Sequence, residues 1–154
     1  MGKTAFEYEP AEDSPGWFTW NLTDATRFNG QTMGRMLTRV EQRADGGQAA
    51  RLRMFPERRH SNLFDAVHGG VTLALIDISL FAAMRTLLHG DADGSVTLDL
   101  STQFIGGGRL GEPLDAVVEV LRETGRLIFL RGLVVQGDET IAAYNGTIRK
   151  PTRR

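Results

Sequence analysis

The spacing of hydrophobic positions along the chain predicts a structure that combines strands with one long helix. Residues 35–44 and 48–55 are predicted strands, and Asp45-Gly46-Gly47 between them predicts a hairpin, because glycine supplies the positive φ of tight turns. Residues 69–89 are dense in Leu, Ile, Ala and Met and lack proline, which predicts a helix that stops at His89-Gly90. That helix is apolar around most of its circumference, so other structure should cover it.

Four more strands are predicted after the helix, at residues 95–105, 113–122, 126–136 and 140–149. In the first of them, residues 95–105, apolar and polar residues alternate regularly. Its apolar face is expected to carry Val96, Leu98, Leu100, Thr102 and Phe104, and its polar face Ser95, Thr97, Asp99, Ser101 and Gln103. Because the links between strands are of hairpin length, we expect an α+β fold in which an antiparallel sheet wraps the helix.

The two ends of the chain are expected to lie outside this domain. Residues 1–16 show no periodicity and are expected to form a loose lead-in, and the aromatic residues at 17–20 are expected to cover an edge of the core or an oligomer contact. Thr23-Asp24 is a predicted N-cap for a short helix near residues 24–30. The predicted organisation is therefore an extension over 1–32, a domain over 33–150 and a basic tail over 151–154.

Composition narrows the class of protein. The 154 residues suit one domain, and the net charge of −1 gives no basic field for nucleic acid or an anionic membrane. The absence of cysteine excludes disulfides and a cysteine nucleophile. The N-terminus has no apolar signal-peptide stretch, so the cytoplasm is the expected location. Asp77 and Arg85 interrupt the longest apolar run, which favours a buried helix over a membrane span.

Candidate chemistry begins at the start of the long helix, at His68-Gly69-Gly70. The first N–H groups of a helix lack partners within it and face its positive end, so they suit a carbonyl oxygen or an oxyanion. The alternative is a tight turn that needs glycine. Asp77 follows two turns later among apolar neighbours, where a carboxylate is costly unless it has partners. It is either a base or nucleophile, or part of a narrow polar stripe.

Two further polar residues have a functional and a structural interpretation. Asn62, in the loop before the helix, could hold a water or a thioester oxygen, although loop asparagines more often form Asx-turns. The Thr97 hydroxyl could position a water or a carboxylate, or simply be solvated. The three histidines, at 60, 68 and 89, lack metal-binding spacing, so no metal site is expected.

Together these segments resemble a known family. The runs His60-Ser61-Asn62, Val67-His68-Gly69-Gly70-Val71 and Leu75-Ile76-Asp77 are similar to those of hotdog-fold acyl-CoA thioesterases of the phenylacetate-pathway (PaaI-like) type, as are residues 96–100 and 110–112. The resemblance covers roughly residues 33–150. It implies a long helix wrapped by a curved antiparallel sheet, homodimers that often pair into homotetramers, active sites at the dimer interface and hydrolysis of an acyl-CoA without a further cofactor.

The resemblance also implies roles for individual residues. Gly70 or Gly69 would donate its N–H to the thioester carbonyl, and Asn62 would orient the thioester or the water. Asp77 of the other subunit would act as general base or nucleophile, with Thr97 assisting the water. His68 would shape the loop and, with Gly69, contact the substrate. Coenzyme A carries phosphates, so Arg58, Arg59 and Arg109 are candidates to line its entrance, unless they are merely solvated.

One position departs from the family pattern, and it leaves other functions open. Family members commonly have glycine three residues before the histidine of the His-Gly-Gly run, where this chain has Asp65. That difference affects the expected substrate more than the fold. The alternatives are a non-catalytic acyl-CoA-binding hotdog module and, with less support, a hotdog hydratase or dehydratase, which usually needs a His in a Pro-rich context absent here.

Overall fold

A computed structural model of the chain describes residues 6–90 and 92–152, which form nine strands around one long helix. The strands are β1 (Phe6–Glu7), β2 (Phe18–Thr19), β3 (Asn21–Leu22), β4 (Met36–Gln42), β5 (Gln48–Met54), β6 (Val96–Phe104), β7 (Leu114–Glu123), β8 (Leu127–Gln136) and β9 (Glu139–Arg149). All pairings are antiparallel. Seven strands form one sheet in the order β2-β4-β5-β7-β8-β9-β6, with β6 at one end.

The long helix, α1 (Gly69–Leu88), is the core element that the sequence predicted. It ends because His89 adopts a left-handed conformation, with φ of 54°, and the N–H of Gly90 donates to the Met84 carbonyl. The predicted stop is therefore confirmed, although His89 rather than Gly90 takes the positive φ. By length and composition α1 could cross a membrane, but it packs its apolar side chains into the core formed with the sheet.

The sheet curves around α1 and covers it, which confirms the predicted hotdog architecture. Leu75, Ile76 and Leu80 of the helix are fully buried against inward-facing side chains of β5 and β7, such as Leu52 and Val118. The hairpin between β4 and β5 turns at Gly46, whose φ of 86° explains the glycine there. The helix is thus fixed along its length, and both of its ends are held at defined places relative to the strands.

Strand β6 differs from its predicted pattern at Leu98. A β-bulge interrupts its pairing with β9, so that Thr97 pairs with Ile148 but Asp99 pairs with Thr147. The extra residue reverses the alternation, and Thr97 faces the helix on the same side as Leu100. The prediction that Thr97 lies on the opposite face from Leu100, with Asp99, was therefore wrong. Val96 and Leu98, predicted on the apolar face, are instead largely exposed.

The segment before β4 is more ordered than the sequence predicted. In the described part of the predicted lead-in, β1 pairs with β3, and the N–H of Ala11 donates to the Trp17 carbonyl. Strand β2 extends the main sheet, and Trp20 is buried in the core. The short helix predicted near residues 24–30 was misplaced, since the helical turn is a π-helical one at Asn29–Met33.

The predicted division of the chain can be compared with the structure only over the described residues. Because β2 pairs with β4, the extension over 1–32 contributes to the same sheet as the domain over 33–150. Residues 1–5 of the extension and residues 153–154 of the basic tail lie outside the described residues.

Candidate active site

The start of α1 presents one unoccupied backbone donor. The His68 side chain caps the helix, and its Nδ1 accepts a hydrogen bond from the Gly70 N–H at 2.8 Å. The N–H groups of Val71 and Thr72 donate to the His68 carbonyl. The N–H of Gly69, at the first helical position, has no acceptor among the described residues. Of the two glycines named from the sequence, Gly69 therefore has the free donor, while that of Gly70 is occupied.

The capping contact also defines the state of His68. A ring nitrogen that accepts from a backbone N–H carries no proton, so the His68 proton lies on Nε2 in this arrangement. The ring is exposed and stands beside the helix start. His68 thus caps the first turn of α1, and its Nδ1 occupies the Gly70 N–H.

Asp77 is held by a hydroxyl from β6. It is partly buried and lies between Ile76 and Ile78, which are both buried. The Thr97 hydroxyl donates to Asp77 Oδ1 at 2.6 Å. This contact exists because the bulge at Leu98 turns Thr97 toward the helix. Among the described residues Oδ2 receives no donor, so one carboxylate oxygen is fixed and the other is available to a water or a carbonyl carbon.

The two ends of the candidate site are too far apart to act together within one chain. Gly69 and Asp77 are separated by eight residues of α-helix, which is about 12 Å at 1.5 Å per residue. A reacting carbonyl must lie within about 3 to 3.5 Å of both its donor and its attacking group. Within one chain, therefore, no carbonyl can contact both the Gly69 N–H and the Asp77 carboxylate.

Asn62 organises the loop before the helix, which we call the Asn62 loop (residues 61–67). Its Oδ1 accepts from the Phe64 N–H at 2.8 Å and from the Ala66 N–H at 3.1 Å. This is the Asx-turn that was the structural alternative for Asn62. The side-chain NH₂ group has no partner in the described part of the chain, so Asn62 can still donate from it.

Asp65 occupies the strained position of the Asn62 loop. Its φ is 57°, a left-handed conformation that glycine adopts freely and that Asp and Asn tolerate better than other residues. The family's usual glycine and this chain's Asp65 are therefore alternative solutions to one backbone requirement. Asp65 adds a carboxylate next to Phe64 in this loop.

A second histidine, His60, has a structural role. It is buried; its Nδ1 accepts from the Glu57 N–H at 2.9 Å, and its Nε2 lies 2.6 Å from the Thr32 carbonyl. It thereby ties the start of the Asn62 loop to the segment before β4. The sequence offered no signal for this contact, since Thr32 is distant along the chain. In the described ranges, no group of three His, Asp or Glu side chains could hold a metal.

The three candidate arginines differ in their availability to a phosphate. Arg109 pairs with Glu112 and Glu139, and the hydrogen bonds that it donates to those carboxylates raise its pKa. Arg59 pairs with Glu57 at 3.0 Å and also donates to the Gln31 carbonyl. Arg58 is exposed and has no side-chain partner among residues 6–90 and 92–152. Arg58 is therefore the cation of the three whose charge is not already compensated.

Comparison with known proteins identifies the family. A family model described as the thioesterase superfamily matches residues 64–143, which include the His-Gly-Gly run, Asp77 and Thr97. This chain belongs to the thioesterase superfamily. The match covers the helix, its His-Gly-Gly start, the strands β6 to β8 and the first five residues of β9. The predicted relationship to PaaI-like hotdog thioesterases is thereby confirmed. No curated protein matches the sequence.

Solved structures agree with the observed fold. The chain is similar to the Escherichia coli PaaI protein from the phenylacetic acid degradation operon, with 18% identity, a TM-score of 0.61, and 73% of this chain and 82% of that chain covered. A mutant of the Thermus thermophilus phenylacetic acid degradation protein PaaI gives 23% identity, a TM-score of 0.60 and coverage of 73% and 92%. A conserved protein from Pseudomonas aeruginosa gives 28% identity, a TM-score of 0.60 and coverage of 66% and 79%. At 18% and 23% identity, the two PaaI structures support the fold alone.

Proposed function

We propose that this member of the thioesterase superfamily hydrolyses the thioester of an acyl- or aryl-acyl-CoA to the free acid and coenzyme A. The observation that carries the proposal is that the same helix has a free Gly69 N–H and an Asp77 carboxylate held by the Thr97 hydroxyl. Thioester hydrolysis requires these two kinds of group. A backbone donor stabilises the oxyanion, and a carboxylate activates the nucleophile. Both lie in the segment that the family model matches.

In the proposed reaction the Gly69 N–H of one subunit binds the thioester carbonyl oxygen. Asp77 of the other subunit takes a proton from water, and the hydroxide adds to the carbonyl carbon. The oxyanion of the tetrahedral intermediate is held by the Gly69 N–H, the carbon–sulfur bond breaks, and the thiolate takes the proton. The free NH₂ group of Asn62 orients the thioester or the water, and Arg58 binds a phosphate of coenzyme A. No further cofactor takes part.

A second route uses the same groups with Asp77 as nucleophile. Its carboxylate attacks the carbonyl carbon directly and expels the thiolate, and water then hydrolyses the mixed anhydride. Single turnover in isotopically labelled water tests for the second route. Label in the Asp77 carboxylate indicates a nucleophile whose anhydride is attacked by water at the Asp77 carbonyl. Label in the product acid alone is expected of a base, and equally of a nucleophile whose anhydride is attacked at the acyl carbon.

The proposed site requires a dimer, and the free edge of β6 supports one. In the described sheet β6 pairs only with β9, and its exposed apolar residues include Val96, Leu98 and Phe104. An open, apolar edge strand is a template for pairing with another chain. We therefore propose a cytoplasmic homodimer joined through β6, which pairs again into a homotetramer. Sedimentation equilibrium measures both association steps.

The first test is thiol release from a panel of acyl-CoAs. The protein has no cysteine, so a thiol-reactive dye reads only the product. We expect turnover by the wild type, its loss in Asp77→Asn, and wild-type rates in the control Asp138→Asn, which alters an exposed turn residue. The absence of turnover on every acyl-CoA, or equal rates for wild type and Asp77→Asn, would contradict the proposal and favour a binding module.

A mixing experiment tests whether two subunits share the site. Gly69→Pro removes the backbone donor and Asp77→Asn removes the carboxylate, so each variant alone should be inactive. In a mixed dimer one of the two sites is intact, and random mixing should restore about a quarter of wild-type activity. If both groups acted within one chain, mixing would restore nothing.

A further inference from the structure

The tip of the Asn62 loop exposes two large apolar side chains beside the start of α1. Leu63 is 98% exposed and Phe64 is 87% exposed, the highest values among the exposed large hydrophobic residues of the described chain. Exposed apolar residues are common singly, but two adjacent ones at this level leave an apolar surface that some ligand or partner normally covers. Their neighbours Asn62 and His68 belong to the proposed site.

The backbone of this loop is well held although its side chains are free. Asn62 Oδ1 accepts from two loop N–H groups, and the Asn62 N–H donates to the Ala66 carbonyl at 2.8 Å. Isolated bridges join Ser61 to Val67 and Ala66 to Arg109. Leu63 and Phe64 are therefore presented at a fixed place, which is how a surface is prepared for a ligand at little further loss of backbone entropy.

These side chains share one cavity with the polar groups of the site. An open cavity of about 460 Å³ is lined by Ser61, Asn62, Leu63, Phe64 and His68. None of the five lining residues carries a fixed charge. Such a wall can cover an apolar chain, but it offers no cation to a terminal carboxylate.

We infer that Leu63 and Phe64 form the acyl-binding wall and select uncharged, apolar acyl groups. The inference rests on the proposed function. A thioester carbonyl held by the Gly69 N–H is bonded to the first carbon of the acyl group, so the acyl chain must begin next to this cavity. On the other side of Gly69 lies the Phe104 ring, since a Cβ built on Gly69 would be 3.5 Å from Phe104 Cε1. The acyl chain would thus leave the carbonyl between apolar surfaces.

The test is the dependence of kcat/KM on acyl-chain length. For wild type we expect an increase of roughly fourfold for each methylene that contacts the wall, corresponding to about 0.8 kcal/mol for each. Phe64→Ala and Leu63→Ala should lower the ratio of octanoyl-CoA to acetyl-CoA rates by roughly tenfold or more. Phe28→Ala and Leu121→Ala are matched controls, because these exposed residues lie outside the site.

The outcomes separate this inference from the proposed function. If wild type hydrolyses acyl-CoAs but chain length has no effect, or if the variants lose activity equally on all lengths, the inference is wrong and the hydrolase remains. If sedimentation shows that either variant is monomeric, the two side chains contact a second copy instead, and the inference is again wrong. If no thioester is hydrolysed, the dependence on chain length is measured instead from the Kd values of non-hydrolysable acyl-CoA thioethers. A chain-length slope that Phe64→Ala removes would support the wall, and a flat or absent response would overturn it.

Discussion

Replacing Gly69 by proline tests the proposed oxyanion donor by removing a single N–H group. Gly69 is the first residue of α1, the position where proline is favoured because its missing N–H has no helical acceptor. The preceding His68 has φ of −60° and ψ of 136°, an extended conformation that a following proline accepts. A Cβ at residue 69 meets Phe104 at 3.5 Å, an ordinary van der Waals distance. The variant should therefore fold.

The expected cost of this change falls on catalysis. Loss of one oxyanion donor lowers kcat by about a hundred- to a thousandfold, or about 2.7 to 4 kcal/mol of transition-state stabilisation. Gly69→Ala is the matched control, because it adds the same Cβ but keeps the N–H. Thiol release and thermal unfolding of both variants provide the measurement. The reasoning is refuted if Gly69→Pro folds and keeps the kcat of Gly69→Ala, because the donor would then lie elsewhere.

Substitutions at three further positions have expected outcomes. Thr97→Val removes the hydroxyl bound to Asp77, and since hydrogen bonds to charged groups contribute about 1.5 to 3 kcal/mol, kcat should fall at least tenfold, whereas Thr97→Ser should keep most activity. Asp65→Ala should lower the urea-unfolding free energy by about 1 kcal/mol, because alanine tolerates φ of 57° poorly, while Asp65→Asn should be nearly neutral; equal stability of both would contradict a strained loop. Burial alone would raise the pKa of Glu41, but hydrogen bonds from Arg51 and Arg39 hold that pKa below its ordinary 4.5. Glu41 therefore contributes stability that is present above pH 4.5 and lost as the pH falls through its folded-state pKa. Acid unfolding followed by circular dichroism should show a shallower fall for Glu41→Gln.

The fold was predictable because its signals are local. The long, mostly apolar run of α1 and the glycine turns between strands predict the order of elements directly, and the antiparallel sheet follows from the short links. The segment before β4 was harder. Its strands are two residues long and are held by pairing with distant partners, and so they leave no periodicity in the sequence.

The candidate site was predictable in its residue types but not in its geometry. The bulge at Leu98 leaves no mark on the alternation of residues 95–105, so the sequence alone places Thr97 on the wrong face. The choice between the two glycines depends on the His68 ring, whose rotation decides which N–H is occupied. The bulge arises from pairing between two separate strands, and the cap arises from the rotamer of one side chain; a single sequence contains no measure of either.

The two edges of the large sheet differ, and the difference limits how copies of the chain can join. At one edge β2 pairs with β4 at Leu37 and Thr38. The part of β4 that β2 does not reach carries Arg39 and Glu41, whose charges disfavour the addition of another strand. At the other edge β6 pairs only with β9 in the described sheet, and it exposes the apolar side chains of Val96, Leu98 and Phe104 among polar ones. When two such sheets join edge to edge through β6 about a two-fold axis, the only edges left exposed are the two formed by β2 and β4. Growth by strand addition then ends at two copies, so an exposed apolar edge can exist in this protein without leading to fibres.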